Sequence, residues 1–143
     1  MDKDFNFKQV PRSWALCYLS ECPRHAECLR YQACLAAPDG RVYHKCILPS
    51  VLRQGACQYF RPVEKVRAAV GFRNIFGKVL AKDITNMRKE LAAYLGSRAT
   101  FFRYQRGDLL LESAQQEWIQ QMFRRYGYTD EVTFDSYREI YVF

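Results

Sequence analysis

Six cysteines are the residues of this chain best equipped for chemistry, and all lie between positions 17 and 57: Cys17, Cys22, Cys28, Cys34, Cys46 and Cys57. A thiolate can act as nucleophile, redox centre or soft metal ligand. In a reducing compartment disulfides do not persist, so clustered cysteines read first as metal ligands. The gaps hold four, five, five, eleven and ten residues, looser than the Cys-x2-Cys knuckle of common zinc ribbons. A tetrahedral thiolate site needs four ligands from at least two chain segments. Cys17, Cys22 and Cys28 supply one segment, and Cys57, after the turn-permissive Gly55, supplies the other. Zinc is the expected metal because nothing else in the chain indicates redox chemistry; an iron–sulfur cluster is the alternative for the same ligands. Cys34 and Cys46 read as small core residues, with His25 and His44 as reserve ligands. The bland alternative is that several of these thiols are simply buried.

Catalysis is not expected. A cysteine nucleophile needs a neighbouring base, and only His25 and His44 are available. The chain has no Gly-rich phosphate loop, no Gly-x-Ser-x-Gly and no His-Glu-x-x-His.

The elements that must position the cysteines follow from pattern and punctuation. Pro23 directs the chain into a helix over 27–36 that carries Cys34 beside Tyr31 and Leu35, and 43–48 reads as a short strand holding Cys46. Arg61-Pro62 marks a boundary. The expected fold is mainly α with a short C-terminal β element. A cysteine-rich, zinc-binding module spans 1–60, and a helical domain spans 61–143. Residues 63–80 read as a helix burying Val66, Val70, Ile75 and Val79, weakened by Gly71 and Gly77.

Beyond it, Ile84, Met87, Leu91, Tyr94 and Leu95 make one helical face. Gly96 stops that helix and Ser97 can cap the next. The segment 84–107 thus has a helix-turn-helix layout, whose second helix would enter the major groove. The competing reading makes 99–105 a strand in a small α+β domain, because Thr100, Phe101, Phe102 and Tyr104 are good strand formers. A last helix opens with a capping box at Ser113 and buries Trp118, Ile119, Met122, Phe123 and Tyr126 before Gly127; 132–143 reads as a strand tail.

Charge sharpens the functional reading. Residues 61–107 carry eleven Lys/Arg against three Asp/Glu, more than the net +7 of the whole chain, whereas 108–143 are net acidic. A basic stripe of this kind attracts phosphate backbones or acidic proteins. The expected function is a zinc-stabilised regulator that binds nucleic acid, DNA more than RNA. Arg98, Thr100 and Arg103 would face bases, and Arg88, Lys89 and Arg106 would contact phosphate. The alternative is a protein-interaction adaptor with a structural zinc site and an acidic partner, its arginines paired to acidic groups. No apolar run approaches the roughly 20 residues that span a bilayer, and MDKDFNFKQVPRSW lacks a signal-peptide core, so no membrane association and a cytoplasmic location are expected. No heptad announces a dimer.

Two resemblances accompany these residues. KELAAYLG-SRATFFRYQRG resembles repressor-type helix-turn-helix domains, with a turn one residue shorter than usual. Val10-Pro11, Trp14, Cys17, Cys22-Pro23 and Cys28-Leu29-Arg30, followed by Gly55, Cys57, Phe60-Arg61, Glu64-Lys65 and Arg67, are similar to a family of small uncharacterised bacterial proteins. That likeness continues through 101–107 to Phe134-Asp135-x-Tyr137. It implies Cys17, Cys22, Cys28 and Cys57 as a set, and no activity.

Overall fold

The computed structural model describes residues 5–143; residues 1–4 of the N-terminal stretch lie outside the described residues. The chain forms two compact units. The first runs to Lys65 and takes in Tyr141–Phe143; the second is Val66–Ile140. The elements are α1 (Leu29–Leu35), β1 (Lys65–Val70), α2 (Ala81–Leu95), α3 (Arg98–Gln105), α4 (Ser113–Arg125) and β2 (Ser136–Tyr141), with short 3-10 turns at Phe7–Gln9, His25–Glu27 and Pro49–Gln54. The fold is mainly helical with one two-stranded antiparallel sheet.

The first unit has little regular structure and two small apolar clusters. Val10, Leu16 and Ala33 form one, edged by Trp14, Cys34 and Phe143. Leu19, Ile47 and Val51 form the other, edged by Cys17, Cys22 and Cys57. Long-range backbone pairs stitch this unit. Leu16 and Cys46 make an isolated parallel bridge, and Cys28 pairs antiparallel with Pro62. The expected strand over 43–48 is therefore a single bridge. The expected helix over 27–36 is a 3-10 turn, a kink at the extended Cys28, and then α1. Leu35 is 66% exposed, so the buried face of α1 is Leu29 and Ala33 instead.

The second unit has the larger core, in which Phe72, Met87, Leu91, Leu111, Ile119 and Met122 are fully buried. Helix α2 stops at Gly96, at φ 111°. The Ser97 Oγ accepts from the Thr100 N–H at 3.0 Å and opens α3, satisfying an N–H that the helix leaves over. The strand reading of 99–105 is thereby corrected: α3 is helical, with Phe101 buried among Leu91 and Leu95 and Phe102 half-buried. Helix α4 begins where expected, but Glu112 is its N-cap, with Gln115 completing the box by accepting from the Glu112 N–H. The capping signal thus sits one residue earlier than Ser113.

The helix expected over 63–80 is absent. Residues 65–70 are β1, followed by turns. Ala69 exchanges two backbone hydrogen bonds with Leu111, at 2.8 and 2.9 Å. Gly71 then bends the chain at φ 76°, where a Cβ would meet the Asp135 Oδ2 at 2.7 Å. These tertiary bonds outweigh the helical preference of Ala68-Ala69. No helix among the described residues is long and apolar enough to cross a membrane.

Candidate functional site

The first unit encloses a cavity of about 410 Å³ whose wall includes Cys17, Cys22, Cys28 and Cys57 together with His25 and Arg30. Each cysteine arrives on a different local device. The Cys17 N–H donates to the Arg30 carbonyl at 3.2 Å. Cys22 closes a turn on Leu19 and starts the turn that carries His25. Cys28 is fixed by the kink before α1 and by its pairing with Pro62. Cys57 follows Gly55, whose φ of 82° lets the 3-10 turn Pro49–Gln54 reverse toward it.

Burial pushes the Cys17 thiol up, and the nearby Cys28, Cys22 and Cys57 push it further, while a hydrogen bond from the Leu19 backbone opposes them. An N–H aimed at sulfur stabilises a thiolate, and so does a cation among the sulfurs. Arg30 and Arg24 are the cations on the cavity wall, and the Arg30 guanidinium feels the sulfurs. Burial and then Arg61 lower its affinity for the proton, whereas Cys28, Cys57 and Cys17 raise it. It donates through Nη1 to the Ala15 carbonyl and through Nε to the Tyr59 carbonyl at 2.8 Å, with its plane 4.3 Å from the Trp14 ring. His25 Nδ1 lies 2.7 Å from the Cys22 carbonyl. A carbonyl only accepts, so Nδ1 carries a proton in this contact. Among the described residues no three His, Cys, Asp or Glu side chains converge closely enough to hold a metal ion as they stand. Four thiols on one cavity wall are soft donors of the kind that bind soft divalent cations, but they do not converge.

Cys34 and Cys46 line a different cavity, near His44, whose Nε2 donates to the Trp14 carbonyl at 2.9 Å. Both thiols are half-buried, less enclosed than core residues would be.

In the second unit the six basic-surface candidates lie on α2, α3 and the turn after α3. Lys89, Arg98 and Arg103 are exposed. Arg88 lies within 5.8 Å of the Phe76 ring and 5.7 Å of the Phe101 ring. Thr100 is taken up by the Ser97 cap, since its Oγ1 accepts from the Ser97 Oγ at 2.9 Å. Arg106 pairs with Asp108 at 2.9 Å, which removes part of its attraction for phosphate. The acidic tail returns through β2, and just before that strand the Asp135 carboxylate accepts from the Arg73 N–H at 3.1 and 3.0 Å.

Arg30 and the stacked Tyr94–Trp118 pair, 3.9 Å apart, are the notable residues that sequence reasoning missed. The position of Arg30 two residues after Cys28 was the available signal for the first; the second had none, because its rings come from distant helices.

No curated protein and no solved structure matches the chain. A family model, described as a family of unknown function (DUF6078), matches residues 1–143, and the chain belongs to that family.

Proposed function

We propose that the first unit is a structural metal-binding module that holds Zn²⁺ through Cys17, Cys22, Cys28 and Cys57, and that the second unit binds nucleic acid, DNA in preference to RNA. The observation that carries the metal reading is that four cysteines, spread from position 17 to 57, line one cavity. A zinc tetrathiolate carries a net charge of −2, and Arg30 with the Leu19 N–H supplies the compensation such a site needs. A bound cation would also relieve the mutual repulsion of the thiolates. An iron–sulfur cluster would use the same ligands.

Zinc in place would lock four loop segments that otherwise rest on two small apolar clusters. The module then contributes stability rather than chemistry. The test is metal analysis of protein purified without added metal, repeated on Cys17→Ser and Cys57→Ser. About one zinc per chain, lost in either variant, is expected; metal-free protein that does not take up zinc overturns the reading.

The nucleic-acid part rests on α3, a short helix with Arg98 and Arg103 exposed next to Lys89 of α2. Three such contacts predict a modest and salt-sensitive affinity. Duplex DNA, duplex RNA and single strands are titrated at several salt concentrations; absence of binding, or binding indifferent to salt, removes this half of the proposal.

The adaptor reading is favoured by a separate observation. Val42 is 95% and Tyr43 80% exposed in the first unit, flanked by Arg41 and Lys45. Exposed apolar residues between cations suit an acidic partner peptide.

A further inference from the structure

The two cysteines outside the metal cavity are themselves a pair. Cys34 lies on α1, and Cys46 lies at the bridge to Leu16; both line one cavity of about 210 Å³. Leu16 holds them together. Its N–H donates to the Lys45 carbonyl and its carbonyl accepts from the Ile47 N–H, so its backbone brackets Cys46. Leu16 also belongs to the apolar cluster with Ala33 that Cys34 packs against. Burial, and after it the neighbouring Cys46, push the Cys34 thiol up. A hydrogen bond with Cys46 pushes up the phenol of the exposed Tyr18, which lines the same cavity.

We propose that Cys34 and Cys46 form a redox pair that closes to a disulfide when a hydroperoxide enters this cavity. The Cys46 thiolate attacks the outer peroxide oxygen, the O–O bond breaks and an alcohol or water leaves with the proton, leaving a sulfenic acid on Cys46. Cys34 Sγ then attacks that sulfur, the S–O bond breaks, and hydroxide departs with the Cys34 proton as water. The two thiols lose two electrons and two protons, and the hydroperoxide is reduced. The new bond ties the eleven residues between the cysteines, including the exposed Val42 and Tyr43, into a closed loop. The pair shares no ligand with the zinc proposal and stands whether or not zinc is bound.

The test is hydrogen peroxide titration of the full chain, with and without added zinc, followed by peptide mapping without reduction. A Cys34–Cys46 linked peptide, two hydrogens lighter than its parts, is expected in wild type and in Cys22→Ser. In Cys34→Ser and Cys34→Ala it should vanish while dimedone traps a sulfenic acid at Cys46; circular dichroism confirms that both variants are folded. Disulfides joining Cys34 or Cys46 to the other four cysteines, or both thiols intact after peroxide has oxidised the methionines, would overturn the pair.

Discussion

Arg30 ties together the chain segments that carry the cysteines, and its removal gives the most exacting check on the site. Its carbonyl receives the Cys17 N–H, its guanidinium holds the carbonyls of Ala15 and Tyr59, and its plane covers Trp14. Arg30→Ala keeps the backbone carbonyl that receives the Cys17 N–H, but it releases the chain just before Cys17, at Trp14 and Ala15, and beside Cys57, at Tyr59, while leaving the cysteines in place. A hydrogen bond from a charged donor contributes about 1.5–3 kcal/mol, and a cation–π contact about 0.5–1 kcal/mol. The side chain is only half-buried, so each of the two hydrogen bonds is discounted to about half that range, giving a loss of about 2–4 kcal/mol in all.

Two units need not unfold together, so the assay must be local: hydrogen exchange followed peptide by peptide. At ~1.4 kcal/mol per decade, the Cys17 and Leu29 amides should exchange about 30- to 1,000-fold faster. Peptides around Met87 and Leu91 should not change. Arg30→Lys should fall between, because an ammonium cannot hold both carbonyls in one fork. A change below about threefold at the Cys17 amide in Arg30→Ala would refute the assignment of Arg30 as the pin of this cavity.

Other consequences follow from single contacts. Gly71→Ala forces a Cβ onto the Asp135 carboxylate at positive φ and should cost about 2–4 kcal/mol in chemical denaturation, with Asp135→Ala relieving part of it. If Arg103 contacts DNA phosphate, Arg103→Ala should reduce the slope of log affinity against log salt by about 0.9, uniformly across sequences. The Tyr128 phenol accepts from the Leu80 N–H at 3.0 Å and donates to Asp83 at 2.6 Å, so it caps α2. The hydrogen bond to Asp83 and then burial raise its pKa, so the folded state favours the neutral phenol. That contribution is complete below the ordinary tyrosine range and is lost as pH rises through the raised folded value. Tyr128→Phe should thus be less stable than wild type at neutral pH, with the gap narrowing in denaturation curves taken in strong alkali.

Much of the second unit was legible because its punctuation is local. Gly96, Ser97 and Gly127 end or begin helices by their own conformational and hydrogen-bonding chemistry, whatever the rest of the chain does. Strand β1 was not legible, since Lys65–Val70 owes its extended state to Leu111 and to β2, partners far along the chain. Ala68 and Ala69 are fully buried on successive positions, a pattern that neither strand nor helix periodicity announces. In the first unit the same division holds. The grouping of Cys17, Cys22, Cys28 and Cys57 could be reasoned from their number, spacing and the turn at Gly55. The place of Arg30 could not, because its work depends on where Ala15 and Tyr59 finish.

The six thiols divide four and two, and the surroundings of each group explain why they should differ in chemistry. Around the four stand a half-buried arginine, a backbone N–H directed at Cys17 and a histidine held through Nδ1 by the Cys22 carbonyl. Those features lower the cost of gathering anionic sulfur, and gathering anionic sulfur is useful chiefly to a cation. Around Cys34 and Cys46 stand the exposed Tyr18 phenol, Arg41 and Lys45, with His44 bound to the Trp14 carbonyl, which leaves two thiols and too few donors for a tetrahedral site. Two thiols in one cavity, with Arg41 and Lys45 on its wall, are set for oxidation, the reaction that joins them. Metal binding and thiol oxidation compete for the same functional group wherever they share a cavity. Here the two groups of thiols line separate cavities, so if zinc occupies the first as proposed, peroxide can act in the second without displacing it.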